Sequence, residues 1–171
     1  MIGITEIIGE VVKTAALNYG KSITYVFGNA EYVKEQLDVY SQDPTIPKLP
    51  LIALFCPVEE KRGEVGYVSA ATINLIIACS TTRELTNEQR EEASFKQILR
   101  PIYNHFLNAL KSDDRFDFGY KPIIKHVYSE NYSYGRYGAY TPNQQAVSEP
   151  IDAIDIRNLE IKIKEFNTCR K

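Results

Sequence analysis

The stretch from Pro50 to Thr82 constrains the fold more than any other part of this chain. It contains two apolar, β-branched runs, Leu51–Val58 and Val68–Ser80, joined by a short charged segment with two glycines. Both runs are too apolar for a strand with one face in water, and turn or charge signals bound each of them. The pattern therefore predicts a long β-hairpin, 51–81, at the middle of a sheet.

The charged segment between the two runs predicts an exposed, mobile hairpin tip. Charges of both signs in such a turn are most typical of a solvated surface, and a contact between subunits is the alternative use. This tip is the first candidate interface. Its charged residues are Glu59, Glu60, Lys61, Arg62 and Glu64.

Hydrophobic periodicity and breaker residues place the other elements around the hairpin. A capping-box pattern at Thr86 and Gln89 begins the longest helix, and Pro101 is expected to kink or divide it. A phase slip at Arg157 and Asn158 predicts a β-bulge in the last strand. In chain order, the predicted elements are a helix at 4–18, a strand at 22–27, a helix at 30–41, a proline-rich connector at 43–50, the hairpin at 51–81, a helix at 87–111, a strand at 122–128, a loop at 129–150 and a strand at 151–166.

The length of 171 residues suits one compact domain, 1–171, and is short for two. We therefore predict an α+β fold. Its sheet is expected to be antiparallel or mixed, to have about four strands built on the central hairpin, and to carry helices packed on one face.

Charge and cysteine usage limit the possible partners and compartments. A formal net charge of −2 gives no global attraction to nucleic acid or to an anionic membrane. Cys56 and Cys79 lie in the two hairpin runs, where we expect buried thiols, a disulfide between them being the alternative. The chain shows neither a signal peptide nor an apolar run of membrane-spanning length, so we expect a cytosol-like environment and no membrane partner.

The sequence contains no recognisable catalytic, phosphate-binding or metal-binding motif. His105 and His126 have no Cys, Asp or Glu at a ligand spacing. The cluster of Asp113, Asp114 and Asp117 lacks the glycine and terminal glutamate of an EF-hand loop, and is more typical of a turn. We therefore predict a protein that is not an enzyme and that uses neither a cofactor nor a metal.

The tyrosine-rich segment within 129–150 is the second candidate interface. Tyr132, Tyr134, Arg136, Tyr137 and Tyr140 interleave aromatic rings with a cation, a pattern that can stack on bases. A nucleic-acid groove needs several cations, however, and this segment supplies only one. A protein-contact loop that orders on assembly is therefore favoured over a nucleic-acid site or a disordered loop.

Four stretches carry a resemblance to a known family: Leu49–Phe55 (LPLIALF), Ile73–Ala78 (INLIIA), Ser94–Tyr103 (SFKQILRPIY) and Ile151–Leu159 (IDAIDIRNL). They look like the small structural proteins of tailed-bacteriophage tail modules. The layout of the elements resembles the tail terminator (tail completion) family, and more loosely other head–tail connector proteins. The tyrosine-rich loop and the helix before the proline-rich connector depart from a plain terminator, which leaves a neighbouring neck component as an alternative.

The resemblance implies a non-enzymatic virion structural protein. Such a protein forms a homo-oligomeric ring, expected to be a hexamer, that joins the tail tube protein to the connector or stopper proteins of the head. It would be assembled in the host bacterial cytoplasm and reside at the head–tail junction, with DNA passing through the ring without sequence-specific contacts. The hairpin tip would border the lumen, and the tyrosine-rich loop would reach a neighbour. The alternative function is a small adaptor domain that binds a protein or nucleic-acid partner through that loop.

Overall fold

The computed structural model describes residues 3–33, 35–36, 49–63, 66–82, 84–120, 123–134 and 151–164. Helices and a six-stranded sheet confirm the predicted α+β class, with more strands than expected. The helices are α1 (Ile4–Tyr19), α2 (helical residues 30–33 and 35–36), α3 (Asn87–Arg90) and α4 (Arg100–Ser112), and a π-helical segment (Glu91–Leu99) joins the last two. The strands are β1 (Thr24–Gly28), β2 (Leu51–Phe55), β3 (Glu60–Lys61), β4 (Tyr67–Ser80), β5 (Val127–Tyr134) and β6 (Ile151–Lys164).

The sheet is built around β4, as the apolar hairpin predicted. Its strand order is β1-β2-β4-β6-β5, and the short β3 pairs with β4 beyond the end of β2. Only β1 and β2 run parallel among the described pairs, and α2 lies in the connection between them. In the hairpin, Leu51 lies opposite Ala78 and Phe55 lies opposite Asn74.

Alternate residues of the central strands form a core beneath α1, the π-helical segment and α4. We call this the helix-side face of the sheet. Phe95 and Phe106 are fully buried against it, and burying such a side chain contributes roughly 2 kcal/mol. Gly9 lets α1 approach β1 closely, since a Cβ at this position would lie 3.0 Å from Cε1 of Tyr25.

A second, smaller core lies on the opposite face, which we call the outer face. Val33 of α2 packs there with Val26, Ala53 and Ile76. Helix α2 begins as predicted, because Asn29 Oδ1 accepts a hydrogen bond of 2.8 Å from the Tyr32 amide. Helical packing thus extends beyond the single face that the sequence predicted.

The longest helix begins with the predicted capping box. The Thr86 amide donates to Gln89 Oε1 at 2.9 Å, and the Gln89 amide donates to Thr86 Oγ1 at 3.3 Å. Farther on, the Arg100 amide bonds to the Phe95 carbonyl five residues back, which is π-helical pairing. Because Pro101 has no N–H to donate, the division expected there takes the form of a change from π-helix to α-helix.

The predicted boundary between a strand at 122–128 and a loop at 129–150 was wrong. The strand is β5, which begins at Val127 and continues through six residues that were assigned to the loop. These residues are polar and read as a loop, but the open edge of β6 supplies main-chain partners, which outweigh weak local β-propensity. Residues 37–41 of the second helix, 43–48 of the connector, 135–150 of the loop and 165–166 of the last strand lie outside the described residues.

The β-bulge predicted near Arg157 is confirmed. Asn158 has a φ of 55°, and the pairing of β4 with β6 shifts between Leu75–Ile156 and Ile73–Leu159. The Asn158 amide donates to Asn74 Oδ1 at 2.9 Å, which replaces the interrupted ladder bond. The shift keeps both Ile156 and Leu159 in the core.

We expect Asn158→Val to lower the free energy of unfolding by roughly 1–2 kcal/mol, because a β-branched residue is strained at positive φ. Asn158→Gly, which relieves that strain, should change it by only about a few tenths of a kcal/mol. The side chain is exposed, so the comparison isolates backbone conformation. Urea unfolding curves that are equal for the two variants would contradict the bulge.

Candidate interaction surfaces

The sheet has an open edge at β1 on one side and at β5 on the other, since no described strand pairs beyond either. The β1 edge displays Phe27, which is 49% exposed. The period-2 alternation of the strand puts Tyr25 and Phe27 on the helix-side face, with their ring centroids 5.9 Å apart. Tyr32 of α2 is also exposed, and its ring lies beside Gly28 at the end of β1.

A groove of about 410 Å³ separates β1 from α1, with Phe27, Tyr25 and Gly9 among its lining residues. The Tyr25 hydroxyl donates to the Thr5 carbonyl at 2.8 Å, and burial raises its pKa well above the usual range. Tyr25 is therefore a fixed, neutral wall of the groove. Charged residues Glu6 and Lys13 of α1 also line it.

The β5 edge is also apolar at its start. Tyr128 is 38% exposed and Val127 is 44% exposed. Ile123 and Tyr120, in the segment that precedes β5, are largely exposed as well. Two adjacent exposed apolar side chains at the start of an edge strand are typical of a contact surface.

The Tyr128 ring is held by a neighbouring aromatic group. It packs edge-to-face on Tyr103 of α4, with centroids 4.9 Å apart. His126 Nδ1 lies 2.8 Å from the Ile124 carbonyl, so this nitrogen carries the proton. The Tyr103 hydroxyl and Nε2 of His126 form a hydrogen bond of 2.7 Å, so both ring nitrogens of the histidine are engaged within the subunit.

An ionic network links the π-helical segment, α4 and β5. Arg100 donates to both carboxylate oxygens of Glu130, at 2.7 and 2.9 Å, and forms a 2.8 Å ion pair with Glu91. The hydroxyls of Tyr128 and Tyr132 donate to Glu130 and Glu91, respectively. The network therefore fixes the helix-side residues of β5 to the helix that covers them.

The pKa directions agree with this network. The Arg100 hydrogen bonds hold the pKa of Glu130 below its ordinary value. Hydrogen bonds from Tyr132 and then Arg100 lower the pKa of Glu91. The carboxylate of Glu91 in turn raises the pKa of Tyr132 to about 12.

The tyrosine-rich candidate interface is only partly described. Tyr132 lies in β5, with its ring 4.5 Å from that of Phe95, so its prediction as a loop residue was wrong. Its ring and hydroxyl are engaged within the subunit, which leaves it poorly placed to stack on a base. Tyr134 ends β5, opposite Ile151. Arg136, Tyr137 and Tyr140 lie outside the described residues.

The charged hairpin segment is more ordered than a free tip. Glu60 and Lys61 form β3 and pair with Ala71 and Ala70, which corrects their assignment to the tip. Arg62 donates to Glu60 Oε2 from Nε at 3.1 Å and from Nη2 at 2.9 Å. Glu59 immediately precedes β3, and Glu64 lies outside the described residues.

An open groove of about 640 Å³ lies along β3, β4 and β6. Glu60, Lys61, Glu160 and Lys162 line it together with uncharged residues. Because both signs of charge alternate there, the groove does not favour a polyanion such as nucleic acid.

The two described cysteines are free thiols; Cys79 is buried as expected, whereas Cys56 is only partly buried. Cys56 follows the end of β2 near Asn74, whereas Cys79 lies beyond the opposite end of that pairing. Burial raises the pKa of Cys79 to about 12, so it is not a nucleophile at neutral pH. Nearby, Ser94 Oγ donates at 2.7 Å to the fully buried Asp152, which anchors the π-helical segment to β6.

The aspartates between α4 and β5 act as turn formers. Asp113 accepts hydrogen bonds from the Arg115 amide and guanidinium, and Arg115 also reaches Glu10 of α1. Asp117 accepts from the Gly119 amide at 2.8 Å and from the Tyr67 hydroxyl at 2.9 Å. The segment is thus tied to both α1 and β4.

A scan against protein-family models and a search of curated proteins each returned no match for this chain. In the part of the chain that the structure describes, no helix is both long and apolar enough to cross a membrane.

Sequence reasoning did not single out the two strand edges. Phe27, Tyr128 and Val127 all fell within predicted strands, where an apolar residue is usually buried. The alternation of side chains along each strand could be predicted from the sequence, but the order of the strands in the sheet could not. Only that order shows that these residues lie at the rims.

We expect Glu130→Gln to lower the free energy of unfolding at neutral pH by about 1 kcal/mol, a charge-assisted pair discounted for partial exposure. The folded-state pKa of Glu130 is depressed, so its contribution is present above the unfolded pKa and is lost as pH falls through the folded pKa. The variant should therefore show a weaker loss of stability in acid. Denaturant unfolding measured across the acidic range checks both effects.

Glu92→Gln is the matched control. Glu92 and Lys96 both lie in the π-helical segment, and they form an exposed ion pair with each other. It should change stability by less than about 0.5 kcal/mol. Equal effects of the two substitutions would contradict the role of the Glu130 network.

Proposed function

We propose that this protein is a non-enzymatic structural subunit that assembles head to tail into a closed ring. The single observation that carries the proposal is the pair of open sheet edges, each with exposed aromatic residues. Phe27 marks the β1 edge and Tyr128 marks the β5 edge.

Two unlike surfaces on opposite sides of one subunit are what heterologous association requires. When the rotation between successive subunits closes, such contacts produce a ring with no edge left open. The two edges lie about 19 Å apart across five strands, at the usual spacing between strands. One subunit can therefore engage two neighbours at once without interference between the contacts.

The placement of this ring follows the sequence resemblance described above. We propose that it lies at the head–tail junction of a tailed bacteriophage or prophage, as a tail terminator or neighbouring neck component. Its partners would be further copies of itself, the tail tube protein, and the connector or stopper proteins. The rigid core, with helices pinned to the sheet by the Ser94–Asp152 and Arg100–Glu130 contacts, suits a subunit that must hold a fixed shape.

The proposal predicts that the purified protein caps tubes grown from the tail tube protein of the same phage or prophage. Electron micrographs should show one ring at a tube end and an arrest of tube growth. Leu17→Ser is the control, because Leu17 is the most exposed aliphatic residue described and lies on α1, on neither edge strand. This variant should cap tubes as the parent does.

The outcomes separate the two parts of the proposal. Free rings beside uncapped tubes would contradict the position at the head–tail junction. A purified protein that forms no rings on its own would contradict ring assembly itself.

A further inference from the structure

One row of side chains crosses the whole sheet on the helix-side face. From one edge to the other, paired residues place Phe27, Leu54, Leu75, Ile156 and Tyr128 side by side. The three inner residues are completely buried, while the two at the ends are each more than a third exposed. The row therefore has a buried centre and an exposed aromatic ring at each end. Because its members are cross-strand partners, the two rings lie at the same position along the strand direction.

The strand directions fix how a second copy would continue this row. Strand β1 runs parallel to β2, and each later step across the sheet is antiparallel, so β5 runs opposite to β1. In a ring whose axis runs along the strands, the rotation from one subunit to the next preserves the strand directions. Strand β5 of one subunit would thus meet β1 of the next in an antiparallel arrangement, which tolerates a solvent-exposed face.

We propose that Tyr128 of each subunit packs against Phe27 of the neighbouring subunit, with β5 and β1 forming an antiparallel junction between them. The inference rests on the proposed ring. In a closed ring, successive subunits are not translated along the ring axis. The row of one subunit therefore meets the same row of the next, and Tyr128 at its end lies beside Phe27. Cross-strand aromatic pairs are among the most stabilising pairs in sheets.

The groove beside Phe27 provides space for the incoming ring. It lies between α1 and β1 on the helix-side face, the same face that carries Tyr128 on the opposite edge. Its wall is Tyr25, which is fixed by its hydrogen bond to the Thr5 carbonyl. The exposed part of the Tyr128 ring of the next copy would close this groove, while Tyr128 keeps its contacts with Tyr103 and Glu130 of its own subunit.

Exposed charges near the two edges are complementary. Glu31 and Glu35 of α2 follow the end of β1, whereas Lys125 precedes β5. Arg157, opposite Val127, already forms a 3.4 Å ion pair with Asp155, so the positive charge at this end comes mainly from Lys125. Gly28 and Val127 lie at the same end of the sheet, so the acidic and basic residues would meet across a β5–β1 junction. Two-fold pairing of β1 with β1 or of β5 with β5 would instead bring like charges together, which disfavours isologous dimers.

Cross-linking between two singly substituted proteins tests this contact. Phe27→Cys and Tyr128→Cys are prepared separately in a background with the native cysteines replaced by serine or alanine, then mixed and oxidised mildly. A disulfide between the two variants can form only between subunits, because each variant carries a single cysteine. We expect a covalent dimer from the mixture and none from either variant alone.

Leu17→Cys mixed with Tyr128→Cys is the control for random collision and should give no dimer. The mass of the uncross-linked parent is measured in the same buffer by native mass spectrometry. Phe27→Ser, whose folding is checked by its thermal unfolding curve, should lose the ring species that the parent shows.

The outcomes distinguish this inference from the proposed function. Parent rings without the mixed disulfide, or Phe27→Ser rings at the parent's yield, would overturn the Phe27–Tyr128 contact while ring assembly stands. A disulfide from Phe27→Cys alone would indicate two-fold pairing of β1 and overturn the contact. A parent that forms no ring would contradict the proposed function itself.

Discussion

The pairing of β4 with β6 is the interaction on which the rest of this structure depends. The two strands each have fourteen residues and pair along almost their whole length. Their alternating apolar side chains supply most of the floor beneath the helices, and β2 and β5 join them on either side. The bulge at Asn158 keeps this floor continuous, because it restores the phase of the apolar residues after Ile156.

Burial and polar contacts together set the positions of the exposed edges. Ser94 and Asp152 fix the π-helical segment to β6, and Arg100 fixes the start of α4 to Glu130 of β5. Because contacts on the helix-side face hold β5 in place, the unpaired edge of this strand has a fixed position. Tyr25 and Gly9 similarly set the distance between β1 and α1. An edge held in this way can join a neighbour with little loss of conformational entropy.

Local patterns in the sequence predicted the elements whose determinants are local. The apolar runs gave the central hairpin, the Thr86–Gln89 capping box gave a helix start, and the phase slip before Leu159 gave the bulge. Most of β5, residues 129–134, was missed because these polar residues have weak β-propensity and pair only because β6 presents an open edge. The aromatic rims were missed for a similar reason: the position of Phe27 or Tyr128 at an edge depends on strand order, which is set by contacts distant in sequence.

The mass of the protein in solution tests the central claim of head-to-tail assembly most directly. Native mass spectrometry over a range of protein concentrations should show one closed species whose mass is a multiple of 19.5 kDa, without a ladder of larger assemblies. A hexamer is the expected size. A protein that stays monomeric at the highest concentration, or that stops at a two-fold dimer, would contradict assembly through two unlike edges.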